Sequence, residues 1–196
     1  MKRASMVFAA ILLSVGVAGT AAAHTLVYTA TLNGANENPV NGSLGTGFFT
    51  ITLDLDLVTM NIDGSFTGLG SNVAAAHIHC CAAPPTNIGV ATVVPSFTDF
   101  PTGVTAGTYN HTFDMALASS YNPAFVTANG GSVSNSLNAL LAGIAAGQAY
   151  FNIHTANFGG GEIRGYLVFD HEVPEPAAIA LVGLALGGLA LRRRAV

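Results

Sequence analysis

Short segments in which apolar and polar residues alternate limit most strongly the folds open to this 196-residue chain. From Phe49 to Asp56, apolar residues alternate with threonine and aspartate. Successive side chains of a strand point to opposite faces, so this pattern predicts a strand with one buried face. Comparable segments, rich in β-branched and aromatic residues, occupy residues 26–32, 58–62, 73–80, 89–94, 108–115, 149–154 and 162–169.

Turn-forming residue pairs such as Asn33-Gly34 and Asp63-Gly64 separate these segments. Many short strands with regular turns are typical of antiparallel sandwiches and barrels. We therefore predict an all-β fold, an antiparallel Greek-key-like β-sandwich. One short helix is also expected between Ser132 and Gly147, because apolar residues recur there at helical spacing and both end residues are favourable caps.

The N-terminus has the pattern of a secretory signal. Two basic residues precede an apolar run over residues 6–17, and three alanines follow. We predict a signal peptide over residues 1–23, cleaved between Ala23 and His24. The alternative is an uncleaved membrane anchor, although the apolar run is short for a span.

The C-terminus carries a second targeting pattern. Pro174, Glu175 and Pro176 are followed by an apolar run over residues 177–191 and by three arginines at 192–194. The apolar run predicts a transmembrane helix, and arginines favour the cytoplasmic side, which places the preceding chain outside.

This order of motif, helix and arginine cluster over residues 171–196 resembles the PEP-CTERM sorting signal of Gram-negative bacteria. The resemblance implies that an exosortase-type membrane enzyme removes the tail after transient anchoring in the inner membrane. It also implies delivery to the cell surface or the exopolysaccharide matrix. A simple C-terminal anchor is the alternative.

Charge in the central part of the chain excludes several partners. Residues 24–173 contain nine acidic residues and one base, Arg164, with no lysine. Nucleic acids and anionic lipids require clustered basic residues, so neither is an expected partner. A single arginine among so many acids is expected to have a specific carboxylate partner or an anionic ligand.

Three histidines form a candidate metal site. His77 and His79 are two residues apart, so on a strand both rings project from one face, and His154 lies on another predicted strand. Imidazole suits copper or zinc. Glu162 and Arg164 are expected near the histidines, where they would orient them. The alternative is that the histidines only form hydrogen bonds between strands and to Glu162.

Cys80 and Cys81 are adjacent and cannot close a chain loop in the usual way. In an oxidising compartment they would form a disulfide with each other, pair between chains, or lie near a metal. If the strand continued past residue 80, Cys81 would share the face of the histidines.

Several of these motifs together resemble the CHRD domain, named after chordin. The resemblance spans residues 24–170 and implies a β-rich extracellular module with no established general activity. The segment after His79 departs from the family, which commonly has Gly-Pro-type residues there. The motifs that carry the resemblance are Gly34-Ala35-Asn36-Glu37-Asn38-Pro39, Ala76-His77-Ile78-His79, Asn152-Ile153-His154-Thr155 and Gly160-Gly161-Glu162-Ile163-Arg164-Gly165.

Three functional hypotheses follow. The first is a non-catalytic surface or matrix module that binds polysaccharide or a surface protein. The second is a copper- or zinc-binding module that uses His77, His79 and His154. The third is a redox enzyme, because the histidine pattern is weakly similar to Cu/Zn superoxide dismutase and a mature N-terminal His24 would be able to chelate copper. The sequence contains no nucleophile elbow and no P-loop.

Overall fold

The structure is a computed structural model that describes residues 25–173. The predicted signal peptide with its cleavage point between Ala23 and His24, the motif at 174–176 and the expected transmembrane helix at 177–191 lie outside the described residues. Within residues 25–173, no helix combines the length and the apolar character needed to cross a membrane.

The described chain consists mainly of β-strands, joined by short turns and two helices. The strands are β1 (Thr25–Asn33), β2 (Thr46–Asp54), β3 (Thr59–Thr67), β4 (Val73–Cys80), β5 (Gly107–Asp114), β6 (Ala149–Thr155), β7 (Ile163–Tyr166) and β8 (Val168–Val173). The helices are α1 (Pro123–Ala128) and α2 (Val133–Ala145).

The strands form one antiparallel sheet in the order β4-β6-β7-β1-β2-β3-β5, and β8 pairs with the first half of β1. The sheet curls into a half-barrel, so its inner surface encloses a single apolar core. Across this core the rings of Phe49 on β2 and Phe151 on β6 stack with their centroids 4.4 Å apart. The predicted all-β antiparallel class is therefore confirmed.

Helix α2 begins and ends where the sequence predicts. The Ser132 side chain caps its start by accepting the Asn135 N–H at 3.2 Å. Gly147 adopts a positive φ of 67° just after the helix, a conformation that glycine favours. The prediction missed α1, although Asn122 as cap and Pro123 in the first turn are recognised start signals.

The strand predicted over residues 89–94 is wrong. Val90 and Thr92 form only isolated bridges, to His79 and Tyr121. The carbonyls of Ile88 and Pro95 on either side bond to histidine rings. The segment runs along the free edge of β4, where Gly89, Ala91 and Thr92 make only a few backbone hydrogen bonds to Ile78 and Cys80 and do not form a regular strand.

Phe48 and Phe49 test this account of the core, because they are adjacent on β2 and point to opposite faces. Phe49 is fully buried, whereas Phe48 is 51% exposed. We expect Phe49→Ala to lower the free energy of unfolding by about 3–5 kcal/mol, since it leaves a cavity. Phe48→Ala should change it by less than about 0.5 kcal/mol. Urea unfolding measures both, and equal losses would contradict the assigned register.

Candidate metal centre

One face of the sheet at strands β4, β6 and β7 is lined with polar side chains. His77 lies opposite Asn152, which in turn lies opposite Arg164. Directly opposed residues of antiparallel strands share a face. The other face at these strands carries core residues such as Ile78 and Phe151. We call the following set the polar face: His77, His79, Tyr150, Asn152, His154, Arg164 and Tyr166.

Two segments cover the polar face, and we call them the roof: residues 34–41 and residues 85–95. They are bonded to each other, because Asn87 Nδ2 donates to Asn38 O at 2.7 Å and Asn38 Nδ2 donates to Pro85 O at 2.9 Å. Asn36 Nδ2 also donates to the Arg164 carbonyl on β7 at 3.1 Å. These bonds hold the roof over the polar face, and the roof explains why polar side chains of a sheet are buried here.

Each histidine of the cluster bonds to a backbone carbonyl through one ring nitrogen. A carbonyl oxygen only accepts, so that nitrogen carries the proton and the other keeps its lone pair. The bonds are His77 Nε2 to Pro95 O (2.6 Å), His79 Nδ1 to Ile88 O (2.7 Å) and His154 Nδ1 to Gly159 O (3.0 Å).

The nitrogens with lone pairs converge. His79 Nε2 lies 3.3 Å from His154 Nε2, and His77 Nδ1 is buried with no hydrogen-bond partner. One ring nitrogen from each of the three residues lies within 4.8 Å of the others. Two lone pairs that face each other repel and cannot form a hydrogen bond. A proton or a metal ion between the two nitrogens would remove this repulsion.

Burial keeps these rings neutral. It lowers the pKa of His77 and of His79 to about 4, against hydrogen bonds to carbonyls that act in the opposite direction. Burial also lowers the pKa of His154. At neutral pH all three rings therefore present the unprotonated nitrogen that a metal requires.

Arg164 has the carboxylate partner that the charge balance predicts. Its Nη2 atom lies 2.9 Å from Glu37 Oε2 and 2.7 Å from Asn87 Oδ1. Its guanidinium carbon lies 4.0 Å from the ring centroid of Tyr150, and that ring stacks on His79 at 4.8 Å. Tyr150 therefore lies between the Arg164 guanidinium and the His79 ring.

Glu162 does not orient the imidazoles through hydrogen bonds. Its carboxylate accepts from Ser43 Oγ and from Thr155 Oγ1, each at 2.7 Å, and from the Gly70 backbone N–H. These bonds join three separate segments of the chain. The orienting role expected of this carboxylate is filled by backbone carbonyls instead.

Cys80 and Cys81 form a disulfide with each other. Strand β4 ends at Cys80, so the condition under which Cys81 would share the histidine face is not met. Gly143 of α2 lies so close to both sulfurs that a side chain there would collide with them. The disulfide is therefore part of the packing between α2 and the end of β4.

The fold and the buried polar face define an antiparallel β-module with a candidate metal centre on one side of its sheet. Residues 28–167 match the sequence model of the CHRD domain, which is well over half of the chain. The chain therefore belongs to the CHRD domain family. Residues 172–194 match the PEP-CTERM protein-sorting motif. No curated protein and no solved structure matched the chain.

The sorting motif indicates how the chain is exported and processed. It marks an exported protein of Gram-negative bacteria that an exosortase-type system processes at the membrane. The family match and the sorting motif together describe a β-module that works outside the cytoplasm.

Glu162 should make stability depend on pH. Burial alone would raise its pKa, but hydrogen bonds from Ser43, Thr155 and the backbone of Gly70 and Ser71 outweigh burial and lower it. A carboxyl with a depressed folded-state pKa stabilises the fold above its unfolded pKa, and this stabilisation is lost as the pH falls through the folded value.

We expect Glu162→Gln to lower the free energy of unfolding by about 1–3 kcal/mol at pH 7, because it removes a charged acceptor from a buried network. The difference from the wild type should shrink towards pH 3. Urea unfolding at both pH values measures it, with Glu172→Gln on exposed β8 as the control. A difference that stays constant with pH would contradict the role of the charge.

Proposed function

We propose that this chain is an exported, non-catalytic surface module that binds one copper or zinc ion through His77, His79 and His154. One observation carries the proposal. Each imidazole donates its N–H to a backbone carbonyl, the opposite nitrogens of His79 and His154 face each other, and one nitrogen of each ring lies within 4.8 Å of the others. Such carbonyl or carboxylate partners normally fix the orientation of histidine ligands in metal sites.

The spacing of the nitrogens supports a first-row metal. Bonds of about 2.0–2.1 Å in a tetrahedral site place two ligand nitrogens roughly 3.4 Å apart. The distance from His79 Nε2 to His154 Nε2 is 3.3 Å, which matches that value. The distances that involve His77 extend to at most 4.8 Å, and a bound ion would draw this ring inward.

The donor set favours copper or zinc over magnesium or calcium. Imidazole suits zinc and copper, whereas magnesium and calcium prefer oxygen ligands. His77 and His79 are buried, 6% and 8% exposed, so the ion would be shielded from solvent. Two of the ligands bond to the roof at Ile88 and Pro95, and a bound ion would therefore hold the roof on the sheet.

The test is metal binding by the chain purified without a histidine tag. We expect about one equivalent of copper or zinc, and free metal at 100 times its dissociation constant should stabilise the fold by about 2.7 kcal/mol. His77→Ala and His154→Ala should each weaken binding more than about 100-fold, because loss of an outer partner alone costs about 10- to 100-fold.

His111→Ala is the matched control for metal binding. His111 lies on β5, with Nδ1 3.8 Å from Asp99 Oδ2, and is not part of the histidine cluster. This variant should bind metal as the wild type does. Calorimetric titration that detects neither copper nor zinc, or unchanged affinity in His77→Ala, would refute the metal site.

A second candidate function is retention in the exopolysaccharide matrix, and the outer face of β2, β3 and β5 favours it. Opposed residues there form rows of short polar side chains, such as Thr50, Asp63 and Asn110. Phe48 adds an exposed ring to the same face. An extended polar surface with an exposed ring suits a hydroxyl-rich polymer.

The surface charge of the module restricts which polysaccharides it would bind. Arg164 is buried against Glu37, so no lysine or arginine among residues 25–173 lies at the surface. The acids outside the two buried glutamates are Asp54, Asp56, Asp63, Asp99, Asp114, Asp170 and Glu172. A surface with this excess of acids repels anionic polymers, so an uncharged or cationic polysaccharide is the expected partner.

Retention on immobilised polysaccharides tests this second function. The wild type should be retained by cellulose or chitosan but not by alginate, and Phe48→Ala should be retained less. Leu117→Ala is the control, because Leu117 is 52% exposed but lies outside the polar rows. Equal retention of both variants would rule out this face as the binding surface.

A further inference from the structure

Buried side-chain nitrogen and oxygen atoms without hydrogen-bond partners are concentrated at the polar face. Within residues 25–173, such atoms occur only on five residues, and each belongs to the polar face or contacts it: Glu37, His77, Asn152, Arg164 and Tyr166. Buried polar groups are almost always paired with protein or ordered water. A cluster of unpaired groups in one place therefore indicates a polar ligand.

Asn152 occupies the centre of this cluster. Its side chain is fully buried, and both Nδ2 and Oδ1 lack partners. On the sheet it lies directly opposite His77 on β4 and Arg164 on β7. His154 lies two residues further along β6, on the same face. Two of the three proposed metal ligands are therefore immediate neighbours of this amide.

The turn before β7 passes close over the Asn152 amide. A side chain at Gly161 would place its Cβ 2.5 Å from both amide atoms and 2.7 Å from Glu37 Oε1. Glycine is thus required for the chain to pass directly over the amide. Because the passing chain closes the face, the amide cannot turn to solvent to satisfy its hydrogen bonds.

We propose that Asn152 hydrogen-bonds a small exchangeable ligand, water or an anion, at the open coordination position of the metal. This inference rests on the proposed metal site. Three histidines leave one position of a four-coordinate ion for such a ligand. The amide does not coordinate the ion itself, because carbonyl oxygen is a poor match for copper or zinc and coordination would leave Nδ2 unpaired.

Solvent would reach the open position from the His154 side of the cluster. His77 and His79 are buried, whereas His154 is only half-buried and forms the side of the cluster nearest to solvent. A probe of only a few atoms is therefore appropriate. Azide is a suitable probe, because it displaces water from Cu(II) without a change in oxidation state and produces a charge-transfer band.

The experiment is an azide titration of the full chain loaded with Cu(II), comparing the wild type with Asn152→Leu. Leucine has a similar volume but no hydrogen-bonding groups. We expect one equivalent of Cu(II) in both proteins and an azide dissociation constant raised about tenfold to hundredfold in the variant, because a hydrogen bond to a charged partner is lost. Asn138→Leu, at an exposed position of α2, should leave azide affinity unchanged.

Stability separates this role from a structural one. Metal-free Asn152→Leu should be at least as stable as the wild type, since it removes an unpaired buried amide. If it does not fold, Asn152→Ala replaces it in the same titration. Unchanged azide affinity at full copper occupancy would overturn the inference and leave the metal site intact.

Two other outcomes have distinct meanings. Loss of Cu(II) from a folded Asn152 variant would show that the amide is itself a ligand, which also overturns the inference. Failure of the wild type to bind Cu(II) would refute the proposed function at its source, before azide is added.

Discussion

Burial of Arg164 beside Glu37 is the interaction on which the polar face depends. Arg164 is 1% exposed, and Glu37 is 4% exposed. Loss of either partner of a buried pair leaves an uncompensated charge, which typically costs about 3–5 kcal/mol. The pair joins β7 to the segment after β1, and Asn87 extends the contact to the second roof segment. This pair therefore ties both roof segments to β7.

The sequence predicted the strands well because their side chains alternate, and it predicted the shared face of His77 and His79 for the same reason. It also selected His154, whose strand pairs with β4. The sequence did not predict Glu37 as the partner of Arg164. This contact joins residues far apart in the chain, so no local pattern indicates it. The strand pattern places Asn152 on the same face as His154, but only its burial in the structure distinguishes it from the other asparagines.

The errors have a common physical cause, which is that loops were assigned from local pattern alone. Residues 89–94 are β-branched and resemble a strand, yet neighbouring carbonyls bond to His77 and His79. Glu162 follows a glycine-rich turn near the histidines, yet its hydrogen bonds run to Ser43, Gly70 and Thr155. In both places the partners are set by how the roof and the turns pack.

Strand β1 separates the start of the sorting motif from the polar face. At its start, Thr25 pairs with Val173, so the described chain begins and ends at neighbouring positions, where the sorting motif starts. At its other end, Asn33 pairs with Arg164 in the row that contains Asn152 and His77. Nine residues of strand place these rows roughly 27 Å apart. Strand β8, where the sorting motif starts, is therefore separate from the polar face, because it pairs only with the first half of β1.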